Sequence, residues 1–530
     1  MIARRTTLLG ALLASAMSVG MAIGTAQAAS FRWANDGDVG AMDPDTRQET
    51  VQLSFLGNIY EPLARRDRDL KIEPALAIKW EQTSPTVWRF HLRPGVKWQD
   101  GSPFTADDVV FSFQRIMSKS SVMRAPMSPV KEVRKVDDMT VDFETNQPDP
   151  ILLQEQTNFL IMSKAWSEAH HATEPVVIGG TDDNYAVHNA MGTGPYKLVS
   201  REPDRATVVE KNPGWWDKIP GNADRVEFDV ISSAATRVAA LLSGQEDMIY
   251  SVPPQDMKRI AAAPDLKLIE HPELRTIYLG LDVWRDELIT SDIKGKNPLK
   301  DLRVRQAFSL AIDEPVIAQK VMLGLAHPSF LMWGPGVNGY DAAVDVRPKA
   351  DVAKAKQLLA DAGYANGFKI GMDCPNDRYV MDEQICTAIV SMLARVGVKV
   401  DLTAQTKAKF FAKVQGPKYD TDFFLIGWTP ATYDAHNALY SLLATHGNGR
   451  GEVNYGGYSN PALDALIDKI GVETDQTKRN AMINQAAEIV QRDVGAIPLH
   501  QQVIVWATKK NVDVAQLADN NFPYRFIVVK

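Results

Sequence analysis

The chain has 530 residues, room for about two to four domains. At 45% hydrophobic and 23% charged it has the composition of a soluble globular protein, with no low-complexity tract or charge block. Its net charge is −7, and removing a leader that holds two arginines and no acid makes it −9, which argues against a nucleic-acid partner.

That leader occupies residues 1–28. Arg4 and Arg5 are its positive start, and Leu8 to Ile23 is its apolar run. Ala26-Gln27-Ala28 is a small-x-small cleavage site, so cleavage is expected after Ala28. The arginine pair followed by Thr6-Thr7-Leu8-Leu9 also fits twin-arginine export. The apolar run is short and diluted by Ser and Gly for a membrane span. No cysteine lies near the cleavage site, so a soluble periplasmic protein is expected and not a lipoprotein.

The mature chain opens on a strand at Phe31 to Ala34. Val87 to Leu92 alternates Trp88, Phe90 and Leu92 with Arg89, His91 and Arg93, a strand with one buried face. Pro94-Gly95 and Asp100-Gly101 are turn pairs around a short strand expected at Val96 to Trp98. Thr105 can cap a helix whose first turn holds Asp107 and Asp108 and whose apolar stripe is Val109, Phe113 and Ile116. Val133 to Asp149 should be a hairpin turning at Asp137-Asp138, and Asn158 to Ala172 a helix. His170 and His171 are neighbours on that helix, about 100° apart, so they do not chelate together. Lys197 to Lys211 reads as one strand, and Ala234 to Ser243 as a helix stopped by Gly244.

Further on, Ile277 to Leu281 is an expected strand. Val304, Phe308, Ala311 and Ile312 form a helix stripe that leaves Arg303 and Arg305 on a solvated or interdomain face. Gly334 to Gly339 satisfies GxGxxG, but Pro328, Pro335 and Pro348 bracket it. It is expected to be a surface crossing loop, not a nucleotide site. After the helix Ala353 to Gly363, a strand, a helix ending at Gly397 and the strand Val398 to Leu402 suggest a parallel pair. Cys374 and Cys386 fall at the end of the first of these strands and in the helix. Both the bridged and the free state are open, since export permits a bridge but sequence does not fix the geometry. Tyr419 to Trp428 is a strand with the loop Thr429 to Asn437 at its carboxyl end, where ligands of open α/β sheets bind.

These features sit among motifs that resemble one family in order along nearly the whole mature chain. They are Ala41-Met42-Asp43-Pro44, Tyr60-Glu61-Pro62-Leu63, Pro74 to Ala77 with Trp80-Glu81, and the whole stretch Val87 to Met117. Gly192 to Tyr196 (GTGPY), Asn212 to Trp216, Asp301 to Ala307, Ala353 to Gly363, Tyr455 to Ile470 and Ile497 to Leu499 continue the series. The family is the family-5 extracellular solute-binding proteins of bacterial ABC importers, the dipeptide-, oligopeptide- and nickel-binding type.

The resemblance implies an α/β, two-lobed periplasmic binding protein fold (venus-flytrap, cluster C type) with an extra α/β domain inserted in the first lobe. The expected division is residues 29–62, 189–281 and 500–530 for lobe I, 63–188 for the extra domain and 282–499 for lobe II. Crossings are expected near Asp282 and His500. It implies capture of a small solute, a di- or oligopeptide first, and delivery to an inner-membrane ABC permease by a monomer without cofactor or metal. Opines, sugars and other amine-bearing solutes are the alternative.

Three clusters would line the cleft. Trp428 offers a flat wall, with Tyr433 and Asp434 beyond it and Asp434 as acceptor for a cationic group. Arg378, beside Tyr379, could pair with a carboxylate. His500 and Gln502 stand at the returning crossover. Peptide-binding members place an aspartate three residues after this tryptophan for the peptide ammonium; here it is Ala431. A secreted hydrolase is the remote rival, but no GxSxG, HExxH or GxxxxGK[ST] motif is present.

Overall fold

The computed structural model describes residues 29–530 apart from 48, 178–181, 416–418 and 448, so the expected leader and its cleavage after Ala28 lie outside the described residues. An eleven-stranded mixed sheet runs through the molecule. Its middle is a pair of long antiparallel strands, Leu266–Leu281 and Ile497–Lys509, of 16 and 13 residues. Strands usually run about 5–6 residues. These are long because each belongs to both lobes.

The pairing shows where the lobes divide. Leu266 to Pro272 pairs with Lys509 to Val503, and Thr276 to Leu279 with Gln501 to Ile497, with the register broken in between. Proline brings no N–H to a ladder, and Pro272 stands at the break. On one side of it, Met248–Ile249, Ser30–Asn35 and Arg225–Val230 extend the sheet. On the other side, Phe423–Trp428 pairs with Thr276 to Leu281, and Lys369–Pro375 and Lys399–Gln405 follow as a parallel pair. The change of partner falls at Glu273–Arg275, inside a strand that begins at Leu266 rather than Ile277.

Three of the four buried hydrophobic clusters show this layout. The near lobe buries Phe31, Trp33, Phe228, Trp506 and Tyr524 together. The far lobe buries a larger set running from Leu274 in the long strand to Leu499, and Leu70 and Leu517 pack into it from outside that stretch. The inserted domain packs Phe90, Trp98, Val109 and Phe143 over a four-stranded antiparallel sheet. The fold is thus the two-lobed α/β architecture with an inserted α/β domain.

The Val87 stretch organises the inserted domain as expected, with one strand fewer. Val87–Leu92 is inside the sheet, and Thr105 N donates to Asp108 Oδ2 (2.9 Å) at the start of Ala106–Ile116. Residues 96–98 form only a bridge, Lys97 to Pro103, since the two flanking turns leave no room for a ladder. Arg115 of this helix is sealed between Asp43 and Asp45, 2.5 Å from each. That ion triad fastens the domain to the start of the near lobe.

Other expectations are corrected. The helix expected over residues 158–172 is only Lys164–Ala169, and residues 197–211 form a hairpin with Asp204 in the left-handed region. Arg305 is buried, donating to Asp493 O and Leu299 O, not solvated. The Gly334–Gly339 loop is on the surface only at Pro335 and Gly336: Gly334 and Val337 are buried, and a Cβ on Gly334 would fall 1.2 Å from Gln501 Nε2. Cys374 and Cys386 are disulfide-bonded, with Cα atoms 6.6 Å apart. Among the described residues, no helix is long and apolar enough to cross a membrane.

Candidate functional site

The two lobes meet at the broken long strands, and Gln502 stands in that break. Its Oε1 accepts from Val380 N of the far lobe (2.9 Å), and its Nε2 donates to Glu273 Oε1 (2.6 Å). Glu273 also accepts from Arg275 (3.2 Å) and from Asn520. Arg275 lies 5.9 Å from the ring centre of Tyr379. Gly427 makes that approach possible: a Cβ there would come 2.9 Å from both Arg275 Cδ and Tyr379 Cε1.

Trp428 follows Gly427 at the strand end. It is half-buried against the far-lobe core and donates from Nε1 to Asn437 Oδ1 (3.0 Å). Arg378 is exposed, its guanidinium 5.1 Å from the Tyr379 ring centre. Its loop is held from below, because Arg378 N and Tyr379 N both donate to Asp382 Oδ2 (2.9 and 3.0 Å). The Cys374–Cys386 bridge ties the strand before this loop to the helix after it. Tyr379 and Gln502 are thus linked through Arg275 and Glu273, with Arg378 and Trp428 next in sequence to Tyr379 and Gly427.

A second cluster forms around Tyr433. Its backbone is left-handed at φ 56°, a strained conformation for this residue. Its hydroxyl donates to Asp519 Oδ2 (2.6 Å), and Arg66 stacks 3.5 Å from its ring centre. Asn158 Nδ2 donates to Ala431 O of the same loop (3.2 Å). The near lobe and the inserted domain thus both grip the far-lobe loop. Beneath it is a cavity of about 110 Å³ lined by Arg65, Arg66, Arg525, Asn158, Tyr433 and Asp519, among others.

Two expected cleft residues are committed elsewhere. Asp434 is fully buried, and its oxygens accept from Arg479 (2.7 Å each) and from Asn338 Nδ2 (2.6 Å). The role of ammonium acceptor is corrected on that ground, since no edge of the carboxylate is left for a solute. His500 is also fully buried, with Nδ1 2.9 Å from Glu314 Oε1. The corresponding correction is that it belongs to packing and not to a cleft wall.

Sequence reasoning missed Glu273, Arg275, Arg66 and Asp519. Glu273 and Arg275 carried a signal, as charges flanking the buried Leu274 in a strand that is otherwise apolar from there on. Asp519 carried none, because its partner Tyr433 is 86 residues away. Among the described residues, no group of three or more His, Cys, Asp or Glu could hold a metal ion.

Two lobes joined by adjacent broken strands, with loops of one gripped by the other, define a solute-capturing protein that closes around its cargo. The comparisons carry this to a family. The model described as bacterial extracellular solute-binding proteins, family 5 Middle, matches residues 71–450, and the chain belongs to that family. It is 27% identical over 501 residues to the dipeptide-binding protein of Escherichia coli (strain K12), covering 87% of this chain and 88% of that one. It is also 27% identical over 511 residues to the probable deoxycholate-binding periplasmic protein YgiS of the same organism, covering 91% and 90%. In fold it is similar to the ABC transporter substrate-binding protein CtaP from Listeria monocytogenes (TM-score 0.81, 22% identity, 94% and 99% covered). A second similar structure is the periplasmic binding protein DppA from Helicobacter pylori in complex with the peptide STSA (TM-score 0.76, 23% identity, 94% and 98% covered). The chain is a solute-binding component of a bacterial ABC importer.

Proposed function

We propose that this chain is a periplasmic receptor that closes its lobes over one small solute and hands it to an inner-membrane ABC permease. It works as a monomer, takes no nucleic acid and catalyses no reaction. Its leader is cleaved after Ala28 and it carries no lipid anchor. The near lobe comprises residues 29–62, the segment from 189 to the strand break and the C-terminal segment from the second break. Residues 63–188 are the inserted domain. The observation that carries the reading is Gln502 joined at once to Val380 of the far lobe and Glu273 at the break. Away from the break, Tyr433 bonded to Asp519 and Asn158 bonded to Ala431 also join the lobes, and a solute that strengthens such contacts favours closure.

Trp428, Arg378, Tyr379, Tyr433 and Gln502 are the solute-facing residues of this reading, with Arg275 added. A di- or oligopeptide is the first solute class, as the name of the dipeptide-binding relative suggests. A second reading is favoured by one observation. Ala431 stands where an ammonium acceptor would be, and Asp434 is consumed by Arg479. That favours a non-peptide solute recognised without a free ammonium. Native mass spectrometry of protein taken from periplasm without refolding separates the two. A retained mass matching short peptides supports the first, and a non-peptide mass supports the second. A hydrolase screen showing turnover would overturn the receptor.

A further inference from the structure

Two acids of the inserted domain, Asp149 and Glu155, are shut against the far-lobe loop, 5% and 6% exposed. They flank the short helix Leu152–Gln156 with Asn158 just beyond it, and Asn158 reaches across to Ala431 O of that loop (3.2 Å). Asp149 Oδ1 accepts from Ile151 N (2.9 Å). Asp149 Oδ2 and Glu155 Oε2 are buried, and no N–H or hydroxyl reaches either. The two carboxyl groups bond to each other instead. Such a bond needs a proton on one of them, because an ionised carboxylate only accepts.

The charged groups around the pair are committed to other partners. From the far lobe, Asp434 acts on both acids and Arg479 on Asp149, but these two are paired with one another. The strand Ala64–Arg66 also packs on the helix. There Arg65 pairs with Glu73 and Asp217, and Arg66 donates to Leu70 O and stacks on Tyr433. Burial, then the charge of Asp149, the bond to it and the charge of Asp434 push Glu155 well above the usual carboxylate range. Burial raises Asp149 as well, with Ile151 N, Glu155 and Arg479 acting against it. Glu155 thus carries the proton and Asp149 accepts from it. Asp434 and its loop belong to the far lobe, so their part in this is lost when the lobes separate.

We propose that closure of this receptor takes up one proton, which Glu155 holds against Asp149 while residues 431–434 cover the pair and releases to water when they withdraw. This rests on the receptor reading and adds a regulation to it: acid favours the closed, solute-holding form. In the open form both acids meet water, and Glu155 ionises near the ordinary value of about 4.3. In the closed form it keeps its proton to higher pH. Between those limits each pH unit of acidification favours closure by up to about tenfold, the effect of one proton.

The test uses the mature full-length protein, freed of bound solute by repeated dialysis, and a dialysable small-molecule extract of bacterial culture. The extract dose giving half the rise in melting temperature is read at about pH 5.5 and about pH 8, each against solute-free protein at that pH. Wild type is compared with Glu155→Gln, whose amide keeps the hydrogen bond to Asp149 but cannot titrate. Both proteins meet the same extract, so titration of the solute itself cancels between them. The expected result is a dose ratio, higher pH over lower, at least about tenfold larger in wild type. Glu155→Gln should also need less extract than wild type at about pH 8, the reverse of what losing a merely structural residue does. Equal ratios in the two proteins overturn the proposal. No rise in wild type at either pH overturns the receptor reading beneath it. If Glu155→Gln does not fold, Glu155→Met, which cannot titrate either, decides by the same ratio.

Discussion

Asp434 and Arg479 form a two-pronged ion pair shut away from solvent, Oδ2 to Nη1 and Oδ1 to Nη2 both at 2.7 Å. The same carboxylate accepts from His436 N (2.8 Å), so it caps the short helix Ala435–Ala438 as well. The pair anchors the loop that carries Tyr433 to the far-lobe helix Gln476–Asp493.

Asp434→Asn should therefore act on stability before affinity. Removing one partner of a buried pair leaves an uncompensated guanidinium, at a cost of about 3–5 kcal/mol. Urea unfolding of the solute-free protein checks this. An unchanged midpoint together with lost solute binding would restore Asp434 as a cleft residue.

Tyr433→Phe keeps the ring on Arg66 and removes the hydroxyl that Asp519 accepts from. A buried hydrogen bond to a charged group contributes about 1.5–3 kcal/mol, so solute affinity should fall by roughly ten- to a hundredfold. The loss belongs to the closed form, and isothermal titration with any solute identified by mass spectrometry measures it.

Stability should rise as pH falls from about 8. Burial pushes Asp45 up to about 7, against the pull of Arg115, and burial with Asp229 pushes Glu246 up to about 8. Both hold a proton more tightly folded than unfolded, so stability rises as pH falls through this range. Burial pushes His436 down to about 4, below the ordinary value of about 6.5. The unfolded chain then takes up a proton that the folded one refuses, which offsets part of that gain below about pH 6.5. Melting temperatures across about pH 4.5–9 would show the rise, steeper above about pH 6.5 than below it, and Asp45→Asn should flatten it.

Reducing the Cys374–Cys386 bridge should lower stability by about 3 kcal/mol, the chain-entropy value for a loop of this size. The bridge brackets the loop of Arg378 and Tyr379, so affinity should weaken too. A Cys374→Ala, Cys386→Ala variant studied by thermal melting and titration tests both effects.

Much of the scaffold was legible because its signals are local. The alternation of Val87 to Leu92, the Thr105 cap and the strand at Phe31 each depend on residues a few positions apart, and each element is present within a residue or two. The disulfide was open in sequence because it depends on where a helix settles on a strand. The site was less legible for the same kind of reason. An acidic residue in a loop at a strand's carboxyl end reads as a cleft acceptor until Arg479, 45 residues on, takes it up. Glu273 meets Gln502 across 229 residues, at a register break that no periodicity announces.

The most direct test of lobe closure is small-angle X-ray scattering of the solute-free protein titrated with bacterial small-molecule extract. The expected result is a saturable fall in radius of gyration that follows the rise in melting temperature and reverses on dialysis. A rise in melting temperature with no change in radius would contradict it, because the solute would then bind without bringing Gln502 and Val380 together.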